Sequence, residues 1–110
     1  MKQYGQTINL KSDPAIIRSY VEHHRRVWAE VEDGLRSIGI ERMLIWMLGR
    51  QLFMFMETID AFDPERDFAR YEKSHPKVAE WQALMASFQE PVLGAKAGEW
   101  WAAMELVYSL

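Results

Sequence analysis

The amino-acid sequence predicts an α+β fold of the ferredoxin-like type, a β-α-β-β-α-β sandwich in which helices cover one face of an antiparallel sheet. Asp-Pro dipeptides at residues 13–14 and 63–64 mark two helix starts, with Asp as the N-cap and Pro in the first turn. A Gly-Arg dipeptide at residues 49–50 separates two apolar segments, as in a hairpin. The length of 110 residues suits one domain, so we expect residues 1–110 to form a single domain.

The first part of the chain predicts one strand and a helical region. Residues 3–10 alternate loosely between apolar and polar side chains and predict the first strand. From Pro14, apolar side chains recur at helical spacing as far as Ile38, and Gly39 ends the pattern. The spacing shows no break. It therefore fits either one long helix or two helices with a bend near residues 23–24.

The hairpin that follows is apolar on both faces of the sheet, which predicts an interface or a cavity in addition to the core. Residues 41–48 and 51–59 form its two strands, and both pleat faces are apolar in the segments 43–48 and 52–56. A half-solvated antiparallel sheet would alternate between apolar and polar side chains. Because the helices of this fold cover one face only, the other apolar face predicts an interface or a ligand cavity. We expect a homodimer packed sheet to sheet, or an open barrel with a pocket inside.

Two helices and a closing strand complete the predicted fold. A short helix begins at Pro64 and ends near residue 73, and another begins at Pro76. Residues 90–98 predict a loop that contains Pro and Gly, and residues 101–110 predict the last strand. The second of these helices has an apolar stripe formed by Val78, Trp81, Met85 and Phe88.

The composition argues against several classes of function. The 13 basic and 16 acidic side chains give a net charge of −3 without a basic block, which argues against nucleic-acid binding. No apolar run is long enough to span a membrane, and the N-terminal residues lack the apolar core of a signal peptide, so we expect a cytoplasmic protein. The chain has no cysteine and its three histidines form no metal motif, so we expect neither a metal nor another cofactor.

Tyr20, His24 and Trp28 form the pattern most indicative of chemistry. They are four residues apart, so one continuous helix would present all three on the same apolar side. An imidazole exchanges protons at neutral pH, a phenol supplies a further proton, and an indole supplies a flat apolar wall. The alternative is that all three only pack in the core, which is the more frequent situation for a histidine on an apolar helix face. His23 points about 100° away, and we expect it in solvent or beside Arg26.

Three further tryptophans are weaker candidates. Trp81 lies on the apolar stripe of its helix, where packing is the ordinary role of an aromatic side chain. Trp100 and Trp101 flank the predicted last strand. One of them should face inwards and the other outwards, so one is a candidate pocket wall.

Four segments together resemble the L-rhamnose mutarotase family, and the similarity runs from about residue 4 to residue 110. The first two are Tyr-x-x-x-His-x-x-x-Trp-x-Glu, beginning at Tyr20, and Gly-Arg-Gln-Leu-Phe-Met at the hairpin turn. The others are Pro-x-Val-x-Glu-Trp-x-x-Leu-Met, beginning at Pro76, and Glu-Trp-Trp-x-x-Met-Glu, beginning at Glu99. The third segment and Gly-Ala-Lys-x-Gly-Glu at residues 94–99 are more similar to the branch of L-fucose mutarotases.

The resemblance implies a dimeric α/β barrel of ferredoxin-like subunits that interconverts the α and β anomers of a 6-deoxyhexose. It implies that His24 is the proton donor and that Tyr20 and Trp81 contact the sugar. We expect Trp28 to hold the apolar face of the sugar together with Trp81. No cofactor or metal is needed for this reaction, because proton transfer alone opens and closes the sugar ring.

This sequence differs from the family pattern at two places. Met43 and Gln82 stand where the rhamnose enzymes have further aromatic sugar contacts. We include both among the sugar-binding residues and expect a sugar rim of different chemistry, which fits L-fucose as well as L-rhamnose. The prolines that follow the catalytic histidine in the family are absent, and Arg25, Arg26 and Ala29 occupy that region. We therefore expect a bend of different shape after His24.

Two other functions fit the same fold. Dimeric α/β barrels also serve as monooxygenases, with a histidine and aromatic side chains in the pocket, and some of these bind haem. A non-catalytic module that binds a small molecule would use the same barrel and leave anomer exchange at its spontaneous rate.

Overall fold

The computed structural model describes residues 1–110 and has the predicted α+β architecture, with helices packed on one face of an antiparallel sheet. The strands lie in the order β2-β3-β1-β4, and β5 pairs with β1 further along the same edge. The ferredoxin-like prediction is confirmed. Two consecutive helices stand at each of the two places where the simplest form of the fold has one helix. The elements are β1 (Lys2–Leu10), α1 (Pro14–His24), α2 (Ala29–Ser37), β2 (Ile40–Leu48), β3 (Gln51–Thr58), α3 (Pro64–Glu72), α4 (Pro76–Phe88), β4 (Gln89–Glu90) and β5 (Ala102–Met104).

The helix starts follow the predicted capping pattern. The Asp13 carboxylate accepts a hydrogen bond from the Ala15 N–H at 2.8 Å, and a proline follows the cap. Asp63 caps α3 in the same way, and at α4 the ring of His75 takes this role, its Nδ1 accepting from the Lys77 N–H at 3.0 Å. These caps satisfy amide groups that have no partner inside the helix.

The helical region of the first half is broken into two helices. α1 ends at His24, α2 begins at Ala29, and Trp28 is extended with φ −63° and ψ 140°. The two-helix alternative is therefore correct, and the break occurs although residues 25–28 contain neither proline nor glycine. At the end of α2, Gly39 has a φ of 98°, in the left-handed region that favours glycine.

The core lies between the helices and the inner face of the sheet. Leu52, Met54 and Met56 alternate along β3 and are buried against side chains of the helices, among them Val31 and Val78. No helix of the chain combines the length and apolar character that a membrane crossing requires.

The opposite pleat of the sheet is apolar and uncovered, as the hairpin predicted. We call it the outer face and define it by Leu44, Trp46, Phe53, Phe55 and Met104, which the strand registers place on the same side. Trp46 stacks on Phe53, with ring centroids 5.7 Å apart, yet remains 54% exposed. The ring of Phe53 also lies over Gly5, where a Cβ atom would come within 3.3 Å of it.

The C-terminal part differs from the prediction. Gln89 and Glu90 form the short strand β4, so the predicted loop begins after them. The predicted strand at 101–110 is reduced to Ala102–Met104, and the side chains of residues 105–110 are exposed. The antiparallel register pairs Met104 with Gly5, and β1 begins at Lys2, so at most three residues after Met104 could find partners on β1.

Candidate active site

A cavity of about 880 Å³ opens between the helices and the inner face of the sheet. Its volume is within the range of small-molecule sites. Apolar side chains from both layers form most of its lining, and exposed charged side chains, including Glu32, Arg36 and Arg42, stand at its rim. The polar side chains of the lining include those of Tyr20, His24, Gln82 and Gln89.

The last turn of α1 brings Tyr20 and His24 into this cavity. They are four residues apart, and the phenol and imidazole centroids lie 4.2 Å from each other. Tyr20 is 4% exposed, whereas His24 is half-buried. The helix thus holds both groups side by side at the cavity wall.

A hydrogen bond to the helix backbone sets the protonation pattern of His24. Its Nδ1 lies 2.9 Å from the Tyr20 carbonyl oxygen. A carbonyl only accepts, so Nδ1 carries the hydrogen and donates it, and in the neutral ring Nε2 keeps a free lone pair. This assignment follows from the chemistry of the partner. Burial lowers the pKa of His24, the backbone hydrogen bond raises it, and the neighbouring His23 lowers it, with a net decrease from the ordinary value.

His23 is half-buried and lies beside two aromatic rings. Its Nδ1 is 2.7 Å from the Ser19 carbonyl oxygen, and its ring centroid is 5.7 Å from Phe88 and 6.3 Å from Trp81. The predicted position in solvent therefore holds only in part. The ring is turned back along the helix by the carbonyl that its Nδ1 contacts.

Trp81 connects α4 to this group. Its ring centroid is 5.4 Å from the His24 ring, in an edge-to-face arrangement. The indole is buried, as its place on the apolar stripe predicted, and it also lines the cavity. Packing and a position at the cavity wall are therefore combined in one side chain.

Trp28 lies outside the cavity, contrary to the expectation of a shared helix face. Because α1 ends at His24, Trp28 is not on the same helix as Tyr20. Its ring packs against the Trp81 ring with centroids 5.1 Å apart. The Nζ atom of Lys77 lies 5.4 Å from the centroid of the Trp28 ring. Trp28 lines a separate surface depression, so its position supports Trp81 from behind.

The two positions that differ from the family pattern both line the cavity. Met43 is half-buried on β2, and Gln82 is exposed on α4, next to Trp81 in the chain. The structure thus brings five of the six predicted site residues to one cavity. They are Tyr20, His24, Met43, Trp81 and Gln82.

Gln89 and the tryptophan pair complete one side of the cavity. Residues 99–101 precede β5, so the alternation expected of a strand does not apply and both Trp100 and Trp101 contribute to the lining. The Trp100 Nε1–H donates to Gln89 Oε1 at 2.9 Å. The tryptophans are candidates from the sequence alone, whereas no sequence pattern indicates Gln89, which lies at the predicted boundary between helix and loop.

The Tyr20 phenol remains protonated in this environment. Burial raises its pKa well above the ordinary value of about 10, and the polar side chain of Gln89 lowers it by a smaller amount. An unprotonated imidazole nitrogen and a protonated phenol are thus adjacent in an apolar cavity. This pair is equipped for general acid–base chemistry. No group of three or more His, Asp or Glu side chains is arranged to hold a metal ion.

A family model and two relatives match this chain over nearly its whole length. A family model described as L-rhamnose mutarotase matches residues 3–110. The UPF0734 protein of Dictyostelium discoideum is 43% identical, covering 99% of this chain and 90% of that protein. The L-fucose mutarotase of Xanthomonas campestris pv. campestris is 32% identical, covering 100% of this chain and 89% of that protein.

Two solved structures have the same fold. The L-rhamnose mutarotase of Formosa agariphila superposes with a TM-score of 0.69 at 18% identity, covering 100% of this chain and 99% of that chain. The tetracenomycin F2 cyclase of Streptomyces glaucescens, a type-II polyketide cyclase, has a TM-score of 0.64 at 20% identity, covering 100% and 97%. At these identities the likeness concerns the fold alone.

The hydrogen bonds of the histidines predict their tautomers. At neutral pH, His24 should carry its hydrogen on Nδ1 and should titrate below about 6.5, because burial disfavours the imidazolium. Long-range ¹H–¹⁵N NMR spectra check both points, with His24 assigned by the His24→Asn variant. His75 is the internal control: its Nδ1 accepts from Lys77, so its hydrogen must be on Nε2. A His24 ring protonated on Nε2, or a pKa above 6.5, would contradict the site geometry.

Proposed function

This chain belongs to the L-rhamnose mutarotase family, and on that premise we propose that it interconverts the α and β anomers of a 6-deoxyhexose, L-fucose or L-rhamnose, with His24 and Tyr20 as the proton-transfer groups. The observation that carries the proposal is the pairing of a free imidazole lone pair with a protonated phenol at one cavity wall. The sugar identity rests on the names of the relatives, one of which is an L-fucose mutarotase.

Anomer exchange requires two coupled proton movements. In ring opening, a base removes the proton of the anomeric hydroxyl, the C1–O1 bond becomes a carbonyl, and the C1–O5 bond breaks with its electron pair going to the ring oxygen. An acid supplies a proton to that oxygen. After rotation about C1–C2, the same steps run in reverse on the other face, and both groups regain their original state.

His24 has the properties of the base in ring opening. Its Nε2 lone pair is free because Nδ1 is bonded to the Tyr20 carbonyl oxygen, and its lowered pKa keeps the ring neutral at physiological pH. The imidazolium formed in this step returns the proton in ring closure, where His24 is the proton donor. A catalyst that takes and returns one proton in each cycle contributes typically about 10²–10⁴-fold.

Tyr20 is placed to serve the ring oxygen. Its raised pKa means that it stays protonated and gives up a proton only as the oxygen gains alkoxide character. The imidazole ring is 4.2 Å away, centroid to centroid, so one bound sugar reaches both groups. In this scheme, Tyr20 gives a proton to the ring oxygen while His24 takes one from the anomeric hydroxyl.

The remaining lining suits a sugar with an apolar face. Trp81 supplies a buried indole and Met43 a flexible thioether, both of which accommodate C–H groups such as the methyl of a 6-deoxyhexose. Gln82 supplies an amide that donates to or accepts from sugar hydroxyls. Trp28 would act indirectly, by holding Trp81 in place.

We also propose that a second copy of the chain covers the outer face. Its five side chains are apolar, and Trp46 and Met104 are each more than half exposed. A face of this kind pairs with itself across a two-fold axis, since each copy presents the same surface. Apolar patches on a small protein mark such interfaces.

Replacing the imidazole tests the catalytic role directly. His24→Asn should reduce catalysed anomer exchange by at least about 10²-fold, because the Nε2 base is lost, whereas Tyr20→Phe should cause a smaller loss of roughly tenfold. Saturation-transfer proton NMR of L-fucose and L-rhamnose at equilibrium measures the exchange rate and ranks the two sugars.

The matched control is His75→Asn, at a histidine outside the cavity where asparagine preserves the cap of α4. It should retain full activity. Full activity of the His24→Asn variant would overturn the assignment of the base, and a wild-type protein without effect on either sugar would overturn the proposed substrates.

Charging the outer face tests the dimer. Wild-type protein should have a mass near twice 13.0 kDa in size-exclusion chromatography with light scattering, and Trp46→Asp should be monomeric because a buried carboxylate opposes the interface. Leu93→Asp is the control, since Leu93 is a fully exposed apolar residue in the loop after β4. A wild-type mass of 13.0 kDa would contradict the proposal.

A further inference from the structure

We propose that Tyr71 is a specificity-determining residue, whose hydroxyl forms a hydrogen bond with a hydroxyl group on C2, C3 or C4 of the bound 6-deoxyhexose. The inference deepens the proposed function and rests on it for the identity of the sugar. It begins from a side chain that the catalytic scheme does not use. Tyr71 lies on α3, is only 3% exposed, and lines the same cavity as Tyr20 and His24.

The Tyr71 hydroxyl is free to bind a ligand. It has no partner within the chain, and the hydrogen bonds of this residue are made by its backbone, as when Ser74 Oγ donates to its carbonyl oxygen at 2.6 Å. No buried side-chain nitrogen or oxygen of the chain lacks a partner, so this hydroxyl is not sealed in the core. It therefore meets open space, and the space that Tyr71 lines is the cavity. A ligand that displaces water from this hydroxyl must replace the lost hydrogen bond.

Packing fixes the Tyr71 ring before any ligand binds. α2 comes so close that a Cβ atom at Gly34 would lie 3.0 Å from two carbons of this ring. Glycine is unfavourable inside a helix, and its presence in α2 is explained by the room that the ring needs. On α3 itself, Phe68 packs edge-to-face with Tyr71, with centroids 6.3 Å apart. The hydroxyl is therefore held in a defined position on the cavity wall.

The Tyr71 phenol is protonated at neutral pH. Burial and, to a smaller extent, the neighbouring Glu72 carboxylate raise the pKa of Tyr71 to about 12. A protonated phenol both donates and accepts a hydrogen bond, as an alcohol does. The group is thus suited to a sugar hydroxyl.

The charges around the cavity favour a neutral ligand. The basic side chains of the lining are Arg36, which lies 3.9 Å from Asp33, and Arg42, which lies 3.6 Å from Glu57. Both are therefore already paired with carboxylates. Three glutamates also contribute to the lining, Glu32, Glu41 and Glu72. An anionic ligand would meet more carboxylates than cations, whereas a neutral ligand rich in hydroxyl groups meets no such repulsion.

Tyr71 approaches the cavity from a different helix than the proton-transfer pair. Tyr20 and His24 come from α1 and Tyr71 from α3, and both helices pack against α4, whose Trp81 lines the cavity as well. With the anomeric centre and the ring oxygen assigned to the α1 pair, the hydroxyl groups on C2, C3 and C4 are left for Tyr71. L-fucose and L-rhamnose differ in configuration at C2 and C4, so a contact there discriminates between them.

Removing one oxygen atom tests the role of Tyr71. Tyr71→Phe should raise KM for the better of L-fucose and L-rhamnose about three- to tenfold and change kcat less than about twofold, since the lost bond does not touch the reacting atoms. Thermal unfolding should match that of the wild type, because the hydroxyl bonds nothing in the protein. Tyr108→Phe, at an exposed tyrosine, is the control and should leave KM unchanged. An unchanged KM in Tyr71→Phe, or a lower unfolding temperature, would overturn the proposal.

Deoxy sugars identify the hydroxyl that is bound. The 2-, 3- and 4-deoxy analogues of the better sugar should be compared with the parent sugar in the wild type and in Tyr71→Phe. For one analogue, the wild type should lose affinity and Tyr71→Phe should cause no further loss, because both changes remove the same hydrogen bond. Equal effects of Tyr71→Phe on the parent sugar and on all three analogues would contradict the proposed contact.

A readout without turnover distinguishes this inference from the proposed function. In His24→Asn protein labelled with ¹³C at tyrosine Cζ, saturating L-fucose or L-rhamnose should shift the Tyr71 resonance, whereas that of Tyr108 should not move. Tyr71→Phe assigns the resonance. An unshifted Tyr71 resonance, in a protein whose wild type accelerates anomer exchange, would overturn the inference and leave the proposed function standing. A shifted resonance without accelerated exchange in the wild type would support sugar binding at Tyr71 and refute the proposed catalysis.

Discussion

The hydrogen bond between His24 Nδ1 and the Tyr20 carbonyl oxygen is the interaction on which the site depends. It joins the imidazole to the last turn of α1, fixes its tautomer and directs Nε2 away from the helix. The same contact holds the imidazole against the phenol of Tyr20 on one side and within 5.4 Å of Trp81 on the other, centroid to centroid. Without it, the ring would be free to adopt other rotamers and either tautomer.

Burial acts on the two catalytic candidates in opposite directions, and both results suit a neutral substrate. Removing water disfavours the charged form of each group, so it lowers the pKa of His24 and raises that of Tyr20. The two groups are therefore both uncharged in the site, as the proposed roles of base and donor require. In the proposed reaction, charge would develop only during proton transfer, inside a cavity whose walls are mostly apolar.

Much of the fold is predictable because its determinants are local. Asp13, Asp63 and the turn at residues 49–50 act within a few residues of their own position, and the structure has each of them as predicted. The break after His24 has no such signal, since residues 25–28 lack proline and glycine, and it moves Trp28 off the shared face. The position of Gln89 on the cavity is unpredictable for a different reason, because it depends on a contact with Trp100, eleven residues away in the chain.

The central claim is that neutral His24 removes a proton while protonated Tyr20 supplies one. The pH dependence of catalysed anomer exchange between about pH 5 and pH 9, after subtraction of the spontaneous rate, tests it most directly. Because the pKa of His24 is lowered and that of Tyr20 is raised, the rate should rise with pH through a single ionisation below about 6.5 and then stay level. A rate that falls as pH increases over this range, or that shows no ionisation, would contradict the account.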